Sequence, residues 1–336
     1  MKILITGASG FIGSFIVEEA LKRGFETWAA VRKSSSRAFL QDKRIHFIEL
    51  DFSSETQMTE QLTGLQFDYI VHAAGVTKCL DKADFHHINT EGTQHLVHVL
   101  KALQMRVERF VYISSLSIMG AIREQQPYEE IRESDEAQPN TAYGRSKLDA
   151  EQWLSSFNIQ HPTFNIPYVI LRPTGVYGPR ERDYFMMAKS IQSHTDFAVG
   201  YKQQDITFVY VTDVVQAVFL ALEKGVTGRK YFLSDGEVYQ SSTFSNLIRK
   251  ELGNPWWIRI TAPLWVLKIV CTVGEYYSKL SGKVTALNND KYNIMRQRNW
   301  RCDIEPARKE LGYEPQVKLE EGVRRSIQWY KDNKWL

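Results

Sequence analysis

The chain has 336 residues, enough for one large domain or two modest ones. It is 43% hydrophobic and 24% charged with a formal net charge of +3, an ordinary globular composition without the basic stripe that nucleic-acid binding needs. Cys79, Cys271 and Cys302 are odd in number and far apart, which argues against a disulfide framework or a metal site and makes a reducing cytoplasm the expected compartment.

The first thirteen residues, MKILITGASGFIG, organise the rest of the chain. Ile3, Leu4 and Ile5 read as a buried strand, and we expect no signal peptide ahead of it. Phe11, Ile12, Phe15, Ile16, Ala20 and Leu21 recur at helical period, and Gly24 caps that helix. Gly7, Gly10 and Gly13 therefore sit where a strand turns into a helix, the context of a dinucleotide-binding loop. Gly7 permits the tight turn, Gly10 lets backbone approach a pyrophosphate at the helix N-terminus, and Gly13 lets helix and strand pack closely.

A second strand, Thr27 to Val31, ends in Arg32 and Lys33 where NAD-binding folds carry an acidic residue for the ribose 2′-hydroxyl. A cation with serine neighbours suits a 2′-phosphate, so NADP(H) is expected, with NAD(H) as the alternative. A third strand, Ile45 to Leu50, ends in Asp51 and Phe52; Asp51 either accepts from an adenine amino group or caps the helix around Glu55 to Leu62. The fourth, Tyr69 to His72, runs into Ala73, Ala74 and Gly75, small residues against which a ribose can lie. His72 is expected to be a packed strand residue, and His86, His87 and His95, on a helix expected from Phe85 to Leu103, lack partners at metal spacing.

A fifth strand, Phe110 to Ile113, delivers Ser114 and Ser115, and a Glu-rich polar loop runs from Arg123 to Asn140. Tyr143 and Lys147 then open a helix, four residues apart and on one face. An ammonium beside a phenol lowers its pKa, so Lys147 is expected to activate Tyr143 as acid or base, with Ser115 holding the same substrate oxygen. A sixth strand, Tyr168 to Leu171, completes a regular alternation of strands and helices, the pattern of an α/β, Rossmann-type doubly wound parallel sheet. One more strand–helix unit starts at Phe208, with Asp213 as the expected N-cap. The division expected is a nucleotide-binding domain of residues 1–172 and 207–234 and a smaller, mostly helical lobe of residues 173–206 and 235–336. Residues 258–273 are too short and too polar to span a bilayer; a helix near Pro263 to Tyr277 is expected to cover the substrate pocket or pack in the lobe, with contact to a membrane surface as the alternative.

TGASGFIG, HAAG at 72–75, SSLS at 114–117, YGRSK at 143–147, RPTGVYGP at 172–179 and FVYVTD at 208–213 together resemble the extended short-chain dehydrogenases/reductases. That resemblance implies a catalytic Ser115, Tyr143 and Lys147, the serine fixed by its place five residues before Gly120. It also implies cofactor contacts along Gly7, Ser9, Gly10, Phe11, Ile12 and Gly13, at Arg32 and Lys33, at Asp51 and Phe52, at Ala73, Ala74 and Gly75, at Tyr143 and Lys147, and at Pro173 beside the nicotinamide. Many members of the family form homodimers through the helices expected at 85–103 and 143–158.

The pattern is closest to dihydroflavonol reductases and 3β-hydroxysteroid dehydrogenase-like members: Arg32 follows Val31, Gly175 stands where nucleotide-sugar enzymes carry asparagine, and no arginine lies between Tyr201 and Thr207. The expectation is an NADP(H)-dependent oxidoreductase for a small apolar or aromatic substrate, in a pocket of Met119, Tyr184, Phe185, Met186, Trp257 and Trp265. An NAD-dependent nucleotide-sugar epimerase or dehydratase and a non-catalytic dinucleotide sensor are the alternatives.

Overall fold

The computed structural model describes residues 1–282 and 288–336, the side chain of Lys279 excepted. The first half alternates as the sequence leads one to expect: β1 Lys2–Thr6, α1 Phe11–Lys22, β2 Glu26–Val31, β3 His46–Glu49, α2 Glu55–Leu62 and β4 Tyr69–His72. The next helix is not one continuous α-helix. It starts as α3 Ala83–Phe85, widens into a π turn over His86–Glu91, and continues as α4 Gly92–Ala102. Then come β5 Arg109–Ile113, α5 Ala142–Gln160 and β6 Tyr168–Pro173. The second half holds β7 Gly175–Tyr177, α6 Arg182–Gln192, β8 Thr195–Val199, β9 Asp205–Ile206, β10 Phe208–Tyr210, α7 Val211–Lys224 and β11 Lys230–Leu233. It ends with β12 Tyr239–Gln240, α8 Thr243–Glu251, β13 Ile258–Ala262, α9 Leu264–Ser281, α10 Asn289–Arg296 and α11 Leu319–Asp332.

Seven parallel strands form the main sheet in the order β11-β6-β5-β4-β1-β2-β3. The order reverses between β1 and β4, so the loops leaving these two strands diverge and open the crevice in which such sheets hold ligands. Alternate residues serve opposite cores. Ile3, Ile5, Val71, Val111 and Leu171 pack with α1 and α7, while Leu4, Ile70, Phe110 and Ile170 pack with α4 and α5. Covering both faces is why these strands read as unbroken apolar runs.

The strand–helix unit expected at Phe208 is β10 and α7; β10 pairs with β7 in a two-stranded sheet of its own, and the seventh strand of the main sheet is β11. One local expectation is corrected. Asp213 does not cap its helix, because α7 begins at Val211 and Tyr210 is the residue before it. Its buried carboxylate instead accepts the backbone N–H groups of Gln316 and Val317 at 3.1 and 3.0 Å, tying the C-terminal region to α7. A third core gathers the aromatic residues Tyr177, Phe208, Tyr210, Phe244 and Tyr330, from both sides of the expected domain division.

Candidate active site

The glycine loop is held by its own backbone. Gly10 N–H donates to Gly7 O at 2.9 Å, and Gly10 is the extended residue from which α1 starts, with no side chain capping the helix. Gly7 has φ +65°, and a Cβ there would fall 2.5 Å from Ala73 O. A Cβ on Gly13 would fall 2.1 Å from Gly7 O. Only hydrogen fits at either point, so the loop after β1 presses on Ala73 while α1 presses on the loop. An uncapped helix N-terminus at the sheet's crevice, approached by backbone alone, fits a pyrophosphate.

Arg32 and Lys33 follow β2 directly and are exposed; Arg32 N–H donates to the Ser35 hydroxyl at 3.0 Å. Among the described residues no ion pair engages the Arg32 guanidinium. Asp51 does not cap α2. Ser54 does, accepting from Gln57 N–H, while Asp51 Oδ1 accepts from the N–H and hydroxyl of Ser53, bonds that lower its pKa. Phe52 packs on His72, ring centroids 5.7 Å apart.

His72 is a buried structural residue. Its two ring nitrogens meet the Thr6 hydroxyl at 2.7 Å and the Thr93 hydroxyl at 3.0 Å, and Ala74 N–H donates to Thr6 Oγ1 at 3.1 Å. Burial first, and then the Lys147 charge, push its pKa down to about 3, so it is neutral at physiological pH. It fixes the ends of β1 and β4, which set the loop at residues 73–75.

Tyr143 lies in the first turn of α5, which the Thr141 hydroxyl caps by accepting from Gly144 N–H at 2.9 Å. Its ring packs edge-on against Phe85 at 6.2 Å. One turn on, the Lys147 ammonium is buried and donates to Ile113 O at 2.8 Å, 4.7 Å from the Tyr112 ring centroid. It also lies 3.3 Å from where a Cβ on Gly75 would stand, so the loop after β4 and the lysine meet. A hydroxyl pair such as that of a ribose fits the donors left on Lys147. Burial lowers the Lys147 pKa to about 8, with Glu151 opposing that shift.

The expectation that Lys147 depresses Tyr143 is corrected. The ammonium is turned toward Ile113 and Tyr112, and burial raises the phenol above its ordinary value, offset in part by its hydrogen bond with Ser115. At neutral pH the Tyr143 phenol therefore keeps its proton. The Ser115 hydroxyl also meets Ser117, N–H and Oγ each at 3.1 Å, whereas buried Ser114 Oγ has no partner among the described residues. Pro173 is buried at the end of β6.

Sequence reading missed three residues. Asn89, in the π turn, accepts from Val76 N–H at 2.8 Å and donates to Val76 O and to Ser146 Oγ, clamping the loop after β4 to α5. Its signal was a polar run, Asn89, Thr90 and Thr93, on a buried helix face. Arg298 and Arg301 reach residues 200–205 from far along the chain: Arg298 donates to Lys202 O at 3.0 Å, and Arg301 lies 3.8 Å from Asp205. They bring guanidinium groups to a segment that has none of its own.

The expected substrate pocket is not assembled. Met119 lies in the main core, Tyr184 stacks on Phe244 at 4.5 Å, and Phe185 packs on Tyr330 and Trp335. Trp257 is clasped by Arg249 and Arg259, while Met186 and Trp265 face solvent at 58% and 68% exposure.

A Rossmann-type sheet with a glycine loop at its crevice is the framework of a pyridine-nucleotide-dependent oxidoreductase. The chain belongs to the NAD dependent epimerase/dehydratase family, whose model matches residues 3–234. It is an enzyme of the extended short-chain dehydrogenase/reductase superfamily. It is similar to human dTDP-D-glucose 4,6-dehydratase, 26% identical over 99% of this chain and 90% of that one. It is similar too to the decarboxylating sterol-4-alpha-carboxylate 3-dehydrogenase of Candida albicans, 24% identical over 98% of each chain. Among solved structures, the dTDP-glucose 4,6-dehydratase DesIV from Streptomyces venezuelae, with NAD and TYD bound, shares the fold at TM-score 0.80, with 22% identity, covering 100% of this chain and 98% of that one.

Proposed function

We propose that the enzyme interconverts a carbonyl and a secondary or primary alcohol, with NADP(H) preferred. The observation that carries this reading is the half-buried Tyr143 phenol, hydrogen-bonded to Ser115 and one helical turn from the buried Lys147 ammonium. Tyr143 gives its proton to the substrate oxygen as a carbonyl is reduced and takes it back when the alcohol is oxidised. Ser115 hydrogen-bonds that oxygen and orients it. Lys147 holds the nicotinamide ribose. When bound, the nicotinamide supplies or accepts the hydride.

Arg32 supports the phosphate-bearing cofactor, since an exposed guanidinium at the end of β2 is free to pair with a 2′-phosphate. Changing Arg32 to Asp is expected to weaken NADPH binding about tenfold or more while leaving NADH binding within about twofold. Fluorescence titration of the variant with each nucleotide checks this, and equal losses would contradict it.

A second reading, an NAD-dependent nucleotide-sugar epimerase or dehydratase, is favoured by the named dehydratase relatives and by Arg298 and Arg301 beside residues 200–205. It uses the same three residues, because those reactions also begin by oxidising a carbinol. An NAD that stays bound through purification would support it, since such enzymes regenerate their cofactor within each turnover.

A further inference from the structure

Helix α9 is built with its apolar side outward. Leu267, Cys271 and Ser278 form its buried stripe, whereas Trp265, Ile269, Val273, Tyr276, Tyr277 and Leu280 are exposed, Val273 at 61% and Leu280 at 70%. The helix's described charged side chains are engaged on the protein side: Lys268 donates to Asn289, and Glu275 accepts from Asn289 and pairs with Lys82 at 3.2 Å. The apolar surface continues along the chain into β13. Ile258 and Ile260 are exposed there, and Phe197, paired with Ile260 and 64% exposed, shares their side of the two-stranded sheet. Monomeric proteins rarely expose a contiguous apolar surface on this scale without a partner.

We propose that this surface docks on a lipid bilayer containing anionic lipid, with α9 lying in the headgroup–acyl boundary. Three observations choose that occupant. First, residues 254–283 contain four basic residues, Arg259, Lys268, Lys279 and Lys283, against one acid, Glu275, which is turned inward; of the four, Arg259 is paired with Asp196 at 2.6 Å. That sign matches anionic headgroups. A second copy pressed on the same face by two-fold symmetry would set like charges against each other. Second, the exposed set mixes aliphatic side chains with Trp265, Tyr276 and Tyr277, whose amphipathic rings suit the interface. Third, among the described residues no helix is long and apolar enough to cross a membrane, so α9 lies on a bilayer rather than through it.

The position has a functional consequence. Glu275 of α9 pairs with Lys82, just ahead of the helix whose Phe85 packs on Tyr143. Asp290 of α10 accepts Ala142 N–H at 2.8 Å, and Asn293 donates to Asn140 O at 2.7 Å. The docking face thus belongs to the part of the lobe that touches the start of the catalytic helix. Docking there presents the site to amphiphilic substrates held in the bilayer, an extension that rests on the carbonyl-reductase reading above.

The test is sedimentation of the purified full chain with vesicles of phosphatidylcholine alone and of phosphatidylcholine with phosphatidylglycerol, at low and high salt. The wild type is expected to pellet with the anionic vesicles at low salt and less so at high salt. The double variant Ile269→Glu, Val273→Glu is expected to lose about tenfold or more of that partitioning while keeping its unfolding midpoint and NADPH affinity. Wild-type protein that stays in the supernatant with both vesicles at low salt overturns the proposal. So does a dimer in sedimentation equilibrium that the same double variant dissociates, which would give the face to a second copy. Vesicle binding needs no turnover, so failure of the cofactor or substrate assignment leaves this result intact.

Discussion

Changing Tyr143 to phenylalanine is expected to cut turnover by about 10²–10⁴-fold or abolish it, with dinucleotide affinity nearly unchanged. The substitution removes one oxygen. The ring stays packed on Phe85, the Thr141 cap of α5 is untouched, and Lys147 keeps its bond to Ile113 O. What disappears is the proton at the substrate oxygen and the phenol's hydrogen bond with Ser115. Steady-state NADPH oxidation over a panel of ketones and aldehydes, beside a binding titration, separates the two effects. Retained turnover would remove Tyr143 from the chemistry. The wild-type pH profile carries a matching sign. Lys147 titrates near 8, so kcat/KM for carbonyl reduction falls as pH rises through about 8 and the ammonium loses its proton. Stability moves the other way. The folded value lies below the ordinary 10.5, so between about 8 and 10.5 the unfolded chain binds more protons and stability rises with pH.

The second large effect is expected behind the site. Glu151 is fully buried and makes paired bonds of 2.5 and 3.1 Å to Arg172, which is itself only 5% exposed at its side chain. Removing one partner leaves the other charge buried and uncompensated, which costs about 3–5 kcal/mol. Glu151→Ala is therefore expected to lose about that much in urea unfolding, while replacing both partners by leucine restores most of the loss. A deficit under about 1 kcal/mol for Glu151→Ala would show that water reaches the pair. Glu151 also raises the Lys147 pKa, one turn before it on α5, so the variant's alkaline limb is expected to move to lower pH.

Local chemistry was legible in the sequence because it is written in neighbouring residues. The spacing of Gly7, Gly10 and Gly13, the apolar runs of β1, β4 and β5, and the four-residue step from Tyr143 to Lys147 each state their structural context within one turn or strand. The errors came from contacts across the chain. Asp213 looked like a cap because acids suit helix starts, yet its carboxylate serves Gln316 and Val317, a hundred residues away. Arg298 and Arg301 supply cations that a search just ahead of Phe208 could not find. The aromatic residues assigned to a pocket scattered because an aromatic side chain carries no mark of which surface it faces: Tyr184 and Phe185 turned into the lobe core, and Trp265 turned out. Tyr143's raised pKa was hidden for a related reason. Sequence spacing gave the distance along the helix but not the Ile113 carbonyl that draws Lys147 aside.

The most direct test of the central claim is a fluorescence titration of purified, nucleotide-stripped wild-type protein with NADPH and with NADH. Saturable binding of both is expected, with NADPH bound about tenfold tighter or more through Arg32. Tighter binding of NADH, or an NAD that resists stripping, would contradict that preference and move the nucleotide-sugar reading to the front.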